Sequence, residues 1–72
     1  MTDYTFFTMS PIIHDLLFND GHPINGVYYN WDANTVRLDF IDGATDQQQS
    51  DAYTAAQAII ADRDTYKANW TP

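Results

Sequence analysis

Apolar and polar side chains alternate along residues 27–41, on both sides of a short polar stretch. An alternation with a period of two is typical of half-buried strands. The stretch between the two runs, residues 32–35, consists mostly of turn formers. The pattern therefore predicts a β-hairpin over residues 27–41. Its apolar positions are Val27, Tyr29, Trp31, Val36, Leu38 and Phe40.

The same pattern selects a register for this hairpin. A four-residue loop over residues 32–35 pairs Trp31 with Val36 and Val27 with Phe40, which places every apolar side chain on one face. A three-residue loop would mix the two faces. We therefore expect the first register. The opposite face would then carry Tyr28, Asn30, Arg37 and Asp39.

A C-terminal helix is predicted over about residues 46–64. Thr45 followed by Gln48 has the spacing of a capping box, in which each side chain bonds to the other residue's backbone amide. The alanine-rich segment that follows is a good helix former. Its apolar stripe is expected to pack on one face of the hairpin. The stripe contains Ala52, Ala55, Ala56, Ile59 and Ile60, with Tyr53 at its edge and Tyr66 and Trp70 further on.

Arg63 falls on that apolar stripe. We expect its aliphatic stem to lie along the core and its guanidinium to reach a carboxylate such as Asp39. An alternative is that the regular helix ends near Asp62. Residues 65–72 are predicted to form an irregular tail.

A short helix is predicted near residues 11–19. Ser10 and Pro11 are a helix-start signal, and Gly21 suits a left-handed helix end. The apolar residues between them recur at helical spacing, although a run this short is also compatible with a strand. These residues are Ile12, Ile13, Leu16 and Leu17.

The N-terminal residues 1–9 contain a β-prone stretch with aromatic side chains on both faces. This stretch is either a strand of the chain's own sheet or an arm that binds a partner, because an unpaired strand of this kind invites aggregation. The sequence here has neither a basic start nor a long apolar run, so we expect no signal peptide and no membrane span.

Composition limits the function classes. The 72 residues predict one small domain, and the net charge of −7, from three basic and ten acidic residues, argues against binding nucleic-acid phosphates or anionic membranes. There is no cysteine. The two histidines, His14 and His22, lack the spacing of a metal site. With no glycine-rich phosphate loop and no nucleophile motif, we expect a non-catalytic protein without a cofactor.

Binding to other proteins is the remaining expectation. Eleven aromatic residues in 72 are more than a small core easily buries, and Tyr, Trp and Arg are common at interface hot spots. The alternative is that the rings are simply large core fillers. The candidate protein-binding residues are Tyr4, Phe6, Phe7, Tyr28, Asn30, Arg37, Tyr66 and Trp70.

Residues 27–62 also resemble small proteins of bacteriophage tail-fibre gene clusters. The likeness lies in a strand pair followed by a threonine-capped helix rich in Ala and Gln, including Thr45, Gln49 and residues 55–60. It implies a virion structural or fibre-assembly protein. Such a protein would bind tail or fibre proteins, or itself, and would be found in the virion or in the host cytoplasm during assembly.

Together these features predict an α+β domain in which a small antiparallel sheet, built on the hairpin, carries the C-terminal helix on one face. The expected function is that of a phage structural or assembly protein. The alternative is an acidic inhibitor that mimics nucleic acid and blocks a host DNA-binding enzyme, which would require the aspartates to share one surface.

Overall fold

The computed structural model describes residues 8–69, which form three helices and a two-stranded antiparallel sheet. The architecture is α+β, as the sequence predicts. The elements in chain order are α1 (Met9–Asn19), β1 (Ile24–Asn30), β2 (Thr35–Phe40), α2 (Asp46–Ala61) and α3 (Arg63–Asn69).

The hairpin has a four-residue turn, but the turn lies one residue earlier than predicted. Asn30 pairs with Thr35, Tyr29 with Val36 and Val27 with Leu38, so the predicted pairing is wrong by two residues. The apolar faces are nevertheless as predicted, because a shift of two leaves each side chain on its side of the sheet. β1 also begins three residues early, at Ile24, and accommodates the Asn25-Gly26 pair as an irregularity in the strand.

Two asparagines explain where the turn closes. The Asn30 Oδ1 accepts a hydrogen bond from the Ala33 amide at 3.1 Å. Asn34 takes the left-handed conformation, with φ at 54°, and its amide donates to the Trp31 carbonyl at 3.3 Å. Asn tolerates both roles better than most residues. Trp31 is therefore a turn residue rather than the last residue of a strand.

The structure confirms that the segment near residues 11–19 is a short helix and not a strand. This helix, α1, begins at Met9, one residue before Ser10. Thr8 is its extended N-cap residue, and no side chain caps the first turn. The Ser10 hydroxyl instead accepts a hydrogen bond from the Tyr29 amide at 3.0 Å, on the outer edge of β1. The helix ends as predicted, with Gly21 at a φ of +89°.

The predicted capping box of α2 is present. The Gln48 amide donates to Thr45 Oγ1 at 3.1 Å, and the Thr45 amide donates to Gln48 Oε1 at 2.9 Å. Regular α2 ends at Ala61, so the alternative of an end near Asp62 is the correct one. The tail predicted to be irregular is helical as far as Asn69, because the Asp62 carbonyl accepts from the Thr65 and Tyr66 amides and starts α3 at once.

The core lies where α1 and α2 meet the inner face of the hairpin. Ile13 and Leu17 of α1 are fully buried, and Ala52 and Ala56 of α2 are small enough to allow close approach of the helix. The inward-facing residues of both strands pack around this cluster. The buried hydrophobic residues are Met9, Ile13, Leu17, Ile24, Leu38, Ala52, Ala56 and Ile60.

Most of the predicted N-terminal arm, and its alternative as a strand, lie outside the described residues. Its last residue, Met9, is not in a strand: it starts α1 and is buried in the core.

Candidate functional site

The outer face of the hairpin carries exposed polar and aromatic side chains. We use "outer face" for the side of the sheet turned away from the core, which presents Tyr28, Asn30, Thr35 and Arg37. Alternation along each strand places them there, since their neighbours Val27, Tyr29, Val36 and Leu38 point inward. The structure thus brings together three of the predicted binding residues: Tyr28, Asn30 and Arg37.

Tyr28 and Arg37 form a preorganised pair on this face. They are direct cross-strand partners, and the Arg37 guanidinium carbon lies 4.4 Å from the centre of the Tyr28 ring. Contacts of this kind contribute about 0.5–1 kcal/mol at exposed sites. The Arg37 Nε also lies 3.8 Å from an Asp39 carboxylate oxygen. Both side chains are therefore partly ordered while remaining accessible.

A shallow concavity of about 500 Å³ lies beside this pair, at the turn end of the sheet. Its wall combines an aromatic ring, a guanidinium, an amide and hydroxyl groups. These groups can stack, donate and accept hydrogen bonds, which suits recognition of a protein surface. The lining residues are Ser10, Tyr28, Tyr29, Asn30, Thr35, Val36 and Arg37.

The two histidines do not meet. His14 lies on α1, with its Nδ1 3.7 Å from the Asp15 carboxylate and its ring stacked 6.0 Å from Phe18. His22 follows α1, and its buried Nε2 lies 3.3 Å from an Asp20 oxygen without forming a hydrogen bond. Within residues 8–69 no group of three or more His, Cys, Asp or Glu residues could hold a metal ion.

The remaining predicted binding residues divide into two groups. Tyr66 is half-buried on α3 and packs against the core. It lines a second concavity, of about 470 Å³, whose other walls come from α1 and α2. The other group lies outside the described residues and consists of Tyr4, Phe6, Phe7 and Trp70.

Sequence reasoning missed a second cluster, which joins the turn to α3. We call Trp31, Arg63 and Lys67 the Trp31 cluster. The Arg63 guanidinium carbon lies 4.2 Å, and the Lys67 Nζ 5.2 Å, from the centre of a Trp31 ring. Arg63 and Lys67 are one helical turn apart, which was the available signal that they share a face.

The sequence predicts that Arg63 reaches a carboxylate such as Asp39, and this prediction is wrong. The Arg63 Nη1 donates instead to the Tyr29 hydroxyl at 2.7 Å and to the Trp31 carbonyl at 2.6 Å. The expectation that it lies along the core is correct in one respect, because its side chain is half-buried. The hairpin places the Trp31 indole and the Trp31 carbonyl close to α3. The guanidinium contacts the first and donates a hydrogen bond to the second.

Comparison of this chain with protein-family models, with curated proteins and with solved structures finds no match in any of the three. Among residues 8–69, none of the helices has the length and apolar content needed to cross a membrane.

Proposed function

We propose that the protein is a non-catalytic binding protein that attaches to other proteins through the outer face of its hairpin. The observation that carries the proposal is the Tyr28–Arg37 pair. Tyr28 is 54% exposed although its ring is held by Arg37, and no described element covers it. Tyrosine and arginine are enriched among residues that dominate binding energy.

Preorganisation supports this reading. A side chain that is already held in place loses less conformational entropy when a partner covers it. The sheet holds the backbone of both residues, and the cation–π contact holds the side chains. A partner would therefore meet a ring and a guanidinium in a defined arrangement.

The proposed setting is a bacteriophage particle or its assembly, with tail or fibre proteins, or a second copy of the chain, as partners. Support for this part comes from the resemblance of residues 27–62 to proteins of tail-fibre gene clusters. The capped α2 helix that follows the strand pair keeps the order of elements on which the resemblance rests.

The nucleic-acid mimic is the weaker proposal. It requires carboxylates arranged along one surface with phosphate-like spacing. The nine aspartates among the described residues are distributed over every element except β1 and over the connecting turns. No single helix or strand carries more than two of them.

Binding can be tested with purified tail and fibre proteins of the phage whose genome contains the coding sequence. The chain is immobilised, and binding is measured by biolayer interferometry beside light scattering of the chain alone. We expect one of these proteins, or a second copy, to bind. Changing Tyr28→Ser together with Arg37→Gln is expected to weaken that binding more than about tenfold, as for hot-spot residues.

The matched controls are Phe18→Ser, which removes an exposed ring from α1, and Gln57→Glu, which lowers the net charge by one at an exposed position of α2. Both are expected to bind within about threefold of the parent chain, as residues outside a hot spot do. Binding that survives the Tyr28 and Arg37 changes would show that the outer face is not the site. A coding sequence outside any phage genome, or no association with any tail or fibre protein, would rule out the virion role.

A further inference from the structure

The two cations of the Trp31 cluster have no carboxylate partner among residues 8–69, although the chain is strongly acidic. Ten aspartates compete for three basic residues. Arg37 is paired with Asp39, yet neither Arg63 nor Lys67 forms an ion pair with a carboxylate among residues 8–69. Even Asp62 and Asp64, the sequence neighbours of Arg63, make no such pair with it.

The Arg63 guanidinium is oriented with one edge free. Its Nη1 donates to the Tyr29 hydroxyl and to the Trp31 carbonyl, and its central carbon lies 4.2 Å from the centre of a Trp31 ring. Within the described part of the chain, Nε and Nη2 have no hydrogen-bond acceptor. They are not buried, because His22 Nε2 is the one buried side-chain polar atom there without a partner. This free edge has the two parallel N–H groups that match a carboxylate.

Lys67 adds a second positive charge at the same indole. It is exposed, and its Nζ lies 5.2 Å from the Trp31 ring centre. Two cations one helical turn apart suit one or two carboxylates. Polyanions such as nucleic acids need many more cations to bind, and the −7 net charge of the chain would repel them.

We propose that the Trp31 cluster is a docking site for a carboxylate side chain in an acidic segment of a partner protein. Arg63 receives the carboxylate on its Nε and Nη2 edge, and Lys67 adds attraction from one side. The Trp31 ring positions the guanidinium. This site uses different residues from the outer face, so it goes beyond the proposed function and does not depend on it.

Two short peptides test the proposal on the full chain. One is acetyl-Gly-Glu-Glu-Gly amide, and the other is the same peptide with Gln in place of Glu. Each is titrated at low salt while NMR follows the Arg63 side-chain Nε–H and the Trp31 indole N–H. The Glu peptide is expected to shift both signals and to bind about tenfold more tightly than the Gln peptide, as for a charge-assisted bidentate pair.

Three variants locate the interaction. Lys67→Gln is expected to weaken Glu-peptide binding about threefold, as for one exposed charge pair. Arg63→Lys keeps the charge but removes the two-pronged edge, and we expect a loss of about tenfold. Arg37→Gln removes the same charge as Lys67→Gln from the outer face, and we expect no change. Circular dichroism checks that each variant is folded, and Lys67 makes no hydrogen bond within residues 8–69 that its replacement would break.

Equal affinity for the two peptides would overturn the proposal. So would an effect of Arg37→Gln as large as that of Lys67→Gln, which would indicate attraction by net charge alone. Tighter binding of inorganic phosphate than of the Glu peptide would indicate a general anion site instead. The test of the outer face is separate, because it measures binding of tail or fibre proteins, or of a second copy, and not of these peptides.

Discussion

Tyr29 links three parts of the molecule through one side chain and one amide. Its hydroxyl accepts a hydrogen bond from Arg63 at 2.7 Å and donates one to Asn34 Oδ1 at 2.6 Å. Its amide donates to Ser10 on α1. A residue near the turn end of β1 therefore joins the hairpin turn, α1 and α3.

Replacing Tyr29 with Phe isolates the contribution of the hydroxyl. The ring still packs on the core, but Arg63 loses an acceptor and Asn34 loses a donor. We expect the free energy of unfolding to fall by about 1–2 kcal/mol, since one of the two bonds involves a charged group. Urea unfolding followed by circular dichroism measures the change.

Tyr28→Phe is the matched control, because it removes the same hydroxyl from an exposed ring on the other face of the same strand. Its unfolding midpoint is expected to equal that of the parent chain. Equal midpoints for both variants would show that the hydroxyl of Tyr29 contributes nothing to stability.

Residue roles were predictable where their partners are close in sequence. The Thr45–Gln48 box could be read directly, because both partners lie within one helical turn. The partner of Arg63 could not, since Trp31 and Tyr29 are more than 30 positions away. Sequence alone shows that a half-buried cation needs acceptors, but it does not show which atoms the fold brings near.

At the scale of elements, a two-stranded sheet has two open edges, and a helix reaches each of them. On β1 the Tyr29 amide donates to Ser10 of α1, and on β2 the Leu38 amide donates to the Tyr53 hydroxyl of α2 at 3.0 Å. Both bonds are partly buried. The helices thus contribute hydrogen bonds to the sheet as well as apolar packing.

Removing the Ser10 hydroxyl leaves the Tyr29 amide without its acceptor, and removing the Tyr53 hydroxyl does the same to the Leu38 amide. We expect Tyr53→Phe to lower the free energy of unfolding by about 1 kcal/mol, and Ser10→Ala by somewhat less because Ala favours the helix. Ser50→Ala, which removes an exposed hydroxyl from α2, serves as the control and is expected to be neutral or slightly stabilising. Thermal unfolding of the three variants compares them, and a Tyr53→Phe variant as stable as the control would contradict the edge role.

The hairpin, its faces and the helix α2 were predictable, whereas the helix α3 and the strand register were not. Hydrophobic alternation identifies the inner face of the hairpin, and any even shift preserves it. The exact pairing depends on whether Trp31 extends the strand or forms the turn. That choice is decided by Asn30, Asn34 and a helix more than 30 residues later, so the local pattern could not contain it.

For the molecule as a whole, the hydrophobic core is small. Eight buried residues, two of them alanines, form the core of the described chain. Domains of this length without disulfides usually have no more than about 3–5 kcal/mol of stability. The loss of stability from a single large defect in the core therefore approaches the total free energy of unfolding.

Ile13→Ala is expected to remove about 2–5 kcal/mol, because Ile13 is completely buried and its loss leaves a cavity. We expect the variant to show no cooperative thermal transition, as monitored by circular dichroism. Leu16→Ala, three residues further along α1 and 39% exposed, is expected to retain one. A cooperative Ile13→Ala transition at the parent temperature would show that the core has more reserve than its size implies.

The two side-chain oxygens at the sheet edges also limit how the chain can associate. A free strand edge can accept an added strand from another molecule through a continuous row of backbone groups. Here Ser10 accepts a hydrogen bond from the Tyr29 amide near the turn end of β1, and Tyr53 accepts one from the Leu38 amide in the middle of β2, so both rows are interrupted. An incoming strand would have to displace a helix side chain at either edge. The hairpin is thereby protected against edge-to-edge pairing with another strand.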